Sequence, residues 1–209
     1  MSKPELILIG AGGHSHACID VIEHEGRFKV AGLVGVVNEV GTVQMGYEVL
    51  AADEELKALA QKFEYALITV GQIKSPIKRI RLYHYALDCG FVLPTIVSPF
   101  SRVSHHAIVG AGTIVMHGAV VNAGASVGSN CILNTNSVIE HDVTVGDFSH
   151  ISTGAIVNGN ANVGDGTFVG SGSVIKEGLK IGAGCVVGMG ACVRMHLNDG
   201  SVFPGRGGE

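Results

Sequence analysis

From Val103 onward every sixth residue is aliphatic: Val109, Val115, Val121, Val127, Leu133, Ile139, Val145, Ile151, Val157, Val163, Val169, Ile175, Ile181, Val187 and Val193 follow without a break. The residue four further on is mostly small, as at Ala107, Ala119, Ala125, Cys131, Ser149, Ala155, Ser173 and Cys185, with Val143, Leu179 and Leu197 as larger members. An internal period of six predicts a solenoid of short parallel strands, a β-helix. Each hexad supplies one strand and one bend. The aliphatic side chain fills the interior, and the small one fits where the walls converge. Three hexads make an 18-residue triangular coil that rises by ~4.8 Å, the spacing of paired strands. Sixteen hexads therefore give about five coils, and residues 18 apart stack in columns. No Pro interrupts residues 103–198, as a ladder of backbone hydrogen bonds requires. Open solenoid ends invite edge pairing. The chain before the repeat is expected to cover one end, and the tail beyond Leu197 the other.

Residues 1–96 follow a different pattern. Glu5–Ile9 is a short apolar run that ends in Gly10-Ala11-Gly12-Gly13. Cys18, Ile19 and Ile22 then share one helical face up to about Glu25, with Asp20 and Glu23 on the polar side. Val30–Val34 and Tyr65–Val70 read as further strands. Asp53 can cap a helix running to about Lys62. Ser75-Pro76 is a helix start, a hydroxyl cap before Pro, and Gly90 a stop. Strands alternating with helices predict a small parallel sheet.

Composition narrows the function classes. The 209 residues carry 14 Lys and Arg against 18 Asp and Glu, a net charge of −4, and there is no Trp. Neither a basic field nor a base-stacking platform for nucleic acid is present. No stretch reaches the roughly 18 apolar residues of a membrane span. Five scattered Cys, an odd number, point to reduced thiols in a cytoplasm.

The hexapeptide repeat resembles that of the left-handed β-helix acyltransferases. The pairing of Gly10-Ala11-Gly12-Gly13-His14 with Asn134-Thr135-Asn136-Ser137-Val138-Ile139-Glu140-His141-Asp142 is similar to sugar acetyltransferases of the sialic acid O-acetyltransferase and bacillosamine N-acetyltransferase type. The resemblance implies a small N-terminal α/β (Rossmann-like) domain over 1–96, which binds a sugar nucleotide. A left-handed parallel β-helix acetyltransferase domain follows over 97–209. It implies acetyl-CoA as donor, no metal, a nucleotide-linked 4-amino-sugar as acceptor, and a homotrimer with its active site between subunits.

The chemistry of the residues fits that implication. A His titrates near ~6.5 and can take the proton of an attacking amine at neutral pH. His141 is the expected general base, and Asp142 would orient it and stabilise its imidazolium. Neighbours in an extended strand point opposite ways, so the pair works only if the backbone bends there. The other reading of His141 is a polar exposed turn. The resemblance assigns His150, Gly159, Ser171 and Met189 to acetyl-CoA. His150 in an apolar column between Ile132 and Phe168 reads equally as structural. Gly159, 18 residues beyond His141, would offer a backbone N–H to a thioester oxygen, or is one more bend glycine. Asn134 would bond the acceptor, or belong to an inward Asn ladder. Gly12, Gly13, His14 and Gly71 are expected at the sugar nucleotide, since glycines and a helix N-terminus suit a phosphate. Ser15 stands where a third dinucleotide glycine would be, so NAD is not supported. His14 and His16 lack a third ligand at metal spacing. After the second strand, Gly35-Val36-Val37-Asn38 has no acidic residue before Glu39, where relatives carry an acidic pair, so the nucleotide is left open. Two rival functions stay open as well: O-acetylation of a sialic acid, and a non-catalytic trimeric sugar-nucleotide binder.

Overall fold

The computed structural model describes residues 2–206. The chain divides into two compact units. One runs to Gly71 and resumes over Ile77–Ile96; the other takes Gln72–Pro76 and the chain from Val97 onward. Among the described residues no helix is long and apolar enough to cross a membrane.

The first unit contains β1 (Glu5–Ile9), α1 (Gly13–Glu25), β2 (Lys29–Gly35), β3 (Val43–Gln44), β4 (Tyr47–Ala52), α2 (Leu56–Leu59), β5 (Tyr65–Ile68) and α3 (Ile77–Asp88). The sheet order is β3-β4-β2-β1-β5. β1 pairs in parallel with both β2 and β5, and Leu6, Ile7, Leu8 and Ile9 are wholly buried. A central parallel strand is covered on both faces, which is why it reads as an unbroken apolar run. α1 ends at Gly26, whose left-handed φ of 76° lets its N–H return to the Ile22 carbonyl.

Two local expectations differ, and one element was not foreseen. Asp53 does not cap a long helix: a 3₁₀ turn, Asp53–Glu55, leads into the four-residue α2. α3 begins at Ile77, just beyond Pro76. β3 and β4 form an antiparallel pair that the hydrophobic pattern does not reveal. Its turn is Met45-Gly46, both at positive φ, instead of the Asn-Gly pair that signals such a hairpin.

The second unit is a left-handed parallel β-helix with walls of six, five and seven strands. From Arg102 to Val193 every wall pairing joins residues 18 apart, such as Val121 with Ile139 and Ile139 with Val157. The aliphatic columns from Val115 to Val193 are almost fully buried and make up the core, with Cys131, Val143, Ala155 and Cys185 in the narrow slots between them. Burying one such side chain is worth about 1.5–3 kcal/mol, so a chain of them sustains a helix with few charges. All five cysteines are free thiols. The tail adds a strand, Val202–Phe203, beside Val186–Val187. There the spacing falls to 16 residues, which closes one wall.

The bends obey a second rule. Every sixth residue from Gly112 to Gly190 has positive φ, and all are Gly, Asn or Asp except Phe148. L-residues resist this conformation, and Gly, Asn and Asp tolerate it best.

A third rule concerns the glycine one place after the aliphatic position. Asp147 Oδ1 accepts the Ser129 N–H at 2.6 Å, and Asp165 Oδ1 accepts the Asp147 N–H at 2.9 Å. Each carboxylate lies where a Cβ on Gly128 or Gly146 in the coil below would project. Gly146→Ala therefore overlaps Asp165 Oδ1 and backbone. It is expected to destabilise the protein by about 2 kcal/mol or more, the range for overpacking and loss of a backbone partner. Gly154→Asn, at a bend with open space around it, should cost clearly less. Denaturation midpoints of the two variants check this order.

Candidate active site

His141 lies in the bend between strands Val138–Ile139 and Thr144–Val145. The bend the pair requires is present: Asp142 has a φ of 60°. That brings its carboxylate to the same side as the imidazole, and His141 Nδ1 lies 2.9 Å from Asp142 Oδ2. Gly124, one coil below, leaves the space that the Asp142 carboxylate fills. The Asp142 N–H donates to the Ala123 carbonyl, and the Asn160 N–H to that of His141. Three successive coils thus hold one dyad. Both side chains are about two-thirds exposed, at 65% and 64%.

The bond to Asp142 raises the His141 pKa above its ordinary value. Partial burial opposes the rise, and the charges of Asp142 and Glu140 add to it. With Nδ1 on the carboxylate, Nε2 faces Gly159: a Cβ there would stand 2.6 Å from Nε2 and 2.7 Å from Cε1. The Gly159 N–H donates to no protein group among the described residues. An open depression of about 460 Å³ surrounds Nε2, lined by Glu140, His141, Asn158, Gly159, Asn160, Glu177 and Gly178. A base and a free backbone donor lining one open depression suit proton removal beside a developing oxyanion.

His150 and Asn134 form a second group on the seven-stranded wall and its following bend. The His150 ring is 7% exposed, between Ile132 and the edge of Phe168. Its Nδ1–H donates to the Gln72 carbonyl at 2.7 Å. Its Nε2 lies 3.2 Å from Asn134 Nδ2, while Asn134 Oδ1 accepts the Thr135 N–H. With Nδ1–H on the Gln72 carbonyl, Nε2 is left to accept from the Asn134 amide. Ser171 Oγ bonds Ser152 Oγ at 2.9 Å, and the Gly190 N–H donates to the Ser171 carbonyl, so Met189 stacks next in the column, 68% exposed. Within one chain no hydrogen bond among the described residues joins this group to His141.

Gly12, Gly13, His14 and Gly71 come together in the first unit, around a cavity of about 380 Å³. A Cβ on Gly12 or Gly13 would meet nothing within 4 Å, so the turn is open to a ligand. His14 Nε2 lies 3.4 Å from the Cys18 thiol. Cys18 is fully buried, and burial pushes its thiol up to about 12, so it stays a neutral donor. Sequence reasoning missed three charged members of this cavity: Glu39, Asp53 and Lys78. A 3₁₀ turn, Val37–Glu39, returns Glu39 to the cavity, where its carboxylate accepts the Val36 N–H at 2.9 Å. Burial raises the Asp53 carboxyl above its usual range, against the opposing charge of Lys78. The capping signal at Asp53 had hidden its other face.

Residues 5–85 match the family model of the PglD N-terminal domain, and residues 160–194 that of the bacterial transferase hexapeptide (six repeats). The acetyltransferase domain of PglB from Neisseria gonorrhoeae FA1090, in complex with acetyl coenzyme A, is 29% identical. The match covers 98% of this chain and 97% of that one, with a TM-score of 0.88. Both matches and this fold make the chain similar to the hexapeptide-repeat sugar acetyltransferases. A histidine-to-asparagine mutant of perosamine N-acetyltransferase from Caulobacter crescentus, in complex with CoA and GDP-perosamine, is 28% identical to this chain. It is covered over 97% of its length and covers all of this chain, with a TM-score of 0.91. WeeI from Acinetobacter baumannii AYE shares the fold at 22% identity and a TM-score of 0.84, covering 98% of this chain and 99% of that one. No curated protein matches the chain.

Two measurements test the dyad. The His141 imidazole, followed by NMR, should titrate above the ordinary ~6.5, and Asp142→Asn should bring it down toward that value. Gly159→Ala should shift the His141 ring resonances with the denaturation midpoint nearly unchanged, because the nearest atoms its Cβ meets belong to the exposed end of the His141 side chain, which can turn toward solvent.

Proposed function

We propose that the protein transfers the acetyl group of acetyl-CoA to the amino group of a nucleotide-linked 4-amino-sugar. The observation that carries this reading is the His141–Asp142 pair with Nε2 beside Gly159, whose N–H has no partner among the described residues. Relatives in complex with acetyl coenzyme A, or with CoA and GDP-perosamine, support the donor and the class of acceptor.

In this reading the acceptor amine gives a proton to Nε2 and attacks the thioester carbonyl. Asp142 stabilises the resulting imidazolium. The Gly159 N–H donates to the oxygen as it gains charge. Collapse breaks the C–S bond, and the proton passes to the leaving thiolate. An N-acetyl sugar and CoA result, and the base is neutral again.

The acetyl-CoA residues His150, Ser171 and Met189 lie on a different corner of the helix from His141. A homotrimer resolves that separation, since one subunit's dyad can meet its neighbour's acetyl-CoA wall. The glycine turn, His14 and Gly71 would hold the sugar nucleotide, with the N-terminus of α1 and Lys78 favouring its phosphates.

The first experiment is thiol release from acetyl-CoA with UDP- and GDP-linked 4-amino-sugars, free sialic acid and CMP-sialic acid. Turnover with an amino-sugar nucleotide is expected, and His141→Ala should lower it by ~10²-fold or more, the usual range for a general base. Turnover with the acids alone overturns the reading in favour of O-acetylation. Since the base works only when neutral and Asp142 raises its pKa, activity should fall with acidification from above ~6.5. That acid limb should move to lower pH in Asp142→Asn. Sedimentation should give a trimer in wild type and in His141→Ala.

A further inference from the structure

Between β5 and α3 the chain changes unit. The first unit runs to Gly71, and Gln72–Pro76 belongs with the β-helix. One residue ties this segment down twice. Gln72 is 4% exposed. Its Nε2–H donates to the Gly166 carbonyl at 3.0 Å, and its own carbonyl accepts the His150 Nδ1–H at 2.7 Å. No other N–H among the described residues donates to the Gly166 carbonyl. Pro76, at the far end of the segment, packs on the same bend: a Cβ on Gly166 would stand 2.9 Å from Pro76 Cγ.

Packing alone does not account for the amide. Gln72 Oε1 is buried and accepts nothing. An acceptor buried without a donor costs stability, and an apolar side chain of the same length avoids that cost. The gain lies at the other end of the hydrogen-bonded chain. Which ring nitrogen of a His carries the proton is set by the bond the other nitrogen makes. The Gln72 carbonyl keeps the proton on Nδ1 and leaves Nε2 as the acceptor, 3.2 Å from Asn134 Nδ2. The side chains next to His150 in its column, Ile132 and Phe168, are apolar and offer Nδ1 no acceptor.

We propose that Gln72 is a positioning residue for the acetyl donor: it clamps its own segment to the Gly166 bend and so fixes the tautomer and ring angle with which His150 meets acetyl-CoA. The inference rests on the place given to His150 in the reading above. It adds a residue that touches neither substrate and takes no proton. The side chain of Gln72 secures its carbonyl, and the carbonyl secures the ring.

Gln72→Met tests this, because it keeps the length and drops both amide groups. In wild type, proton–nitrogen correlation spectra of the neutral His150 ring should place the proton on Nδ1. In Gln72→Met the ring should become a mixture of both tautomers. The Kd for acetyl-CoA, measured by calorimetry without acceptor, should rise about three- to tenfold, the range for one neutral hydrogen bond. The KM for the acceptor should stay as it is. The denaturation midpoint should move little, since the unpaired Oε1 goes as the Gly166 carbonyl loses its partner. Gln72→Leu is the second variant and should follow Gln72→Met in every readout. Gln72→Asn, which keeps an N–H donor one carbon short, should recover part of the affinity. A ring that keeps its proton on Nδ1 in both apolar variants overturns the inference and leaves the acetyl transfer intact. So does a shifted tautomer with an unchanged Kd for acetyl-CoA, which would make Gln72 a structural tie only. If wild type binds no acetyl-CoA, the functional reading fails first and this inference with it.

Discussion

In a coil of three hexads, residue n rests on residue n − 18, and nearly everything else in the second unit follows from that register. The aliphatic columns stay inside because each strand is two residues long and pairs with its counterpart without slippage. The bends repeat because each needs one left-handed residue at the same place in the hexad. A slip of one position would turn the aliphatic face outward. It would also put Cβ atoms at glycine positions where the coil above supplies a carboxylate or a backbone.

The same register builds the chemistry. His141, Asp142 and Gly159 are distant in sequence terms only by one coil. Their contacts are the ordinary column contacts of the helix, with polar groups in place of methyls. The dyad needs a left-handed residue at its second position, and the bend supplies one in every hexad whether or not catalysis uses it. The site is therefore a decoration of a rigid scaffold and needs no loop of its own. The first unit is organised differently. Its cavity gathers residues from the ends of β1, β2, β4 and β5 and from the first turns of α1 and α3.

How much of this was legible beforehand depended on whether a contact repeats. The sixteen aliphatic positions, the 18-residue stacking of Gly159 on His141, and the buried Cys131 and Cys185 all follow from the period. The bend at Asp142 was visible as a requirement but not as a fact, since nothing local to Glu140-His141-Asp142 marks a left-handed residue. Reading the hexad for Gly, Asn and Asp would have supplied it. Contacts without a period stayed hidden. Glu39 returns to its cavity through a 3₁₀ turn. Cys18 meets His14 across one helical turn, and Asn134 and Gln72 clasp the two nitrogens of His150. Each depends on a rotamer or on a long-range approach. The β3–β4 hairpin escaped because Met45 accepts a conformation its side chain does not advertise.

The tail shows what the register permits. Between the last full hexads and Val202 the spacing drops to 16 residues, and the strand still pairs. The rule of 18 holds through Val193, and the contraction to 16 comes only at Leu197 and Val202, two and more coils above His141. Inserting or removing one whole coil beyond Gly178 would leave the surroundings of His141 untouched, whereas a single added residue between Ala123 and Gly178 would rotate half of the site out of alignment. The helix is thus modular in steps of a coil and intolerant of anything smaller, which makes the number of coils an evolutionary variable separate from the chemistry they carry.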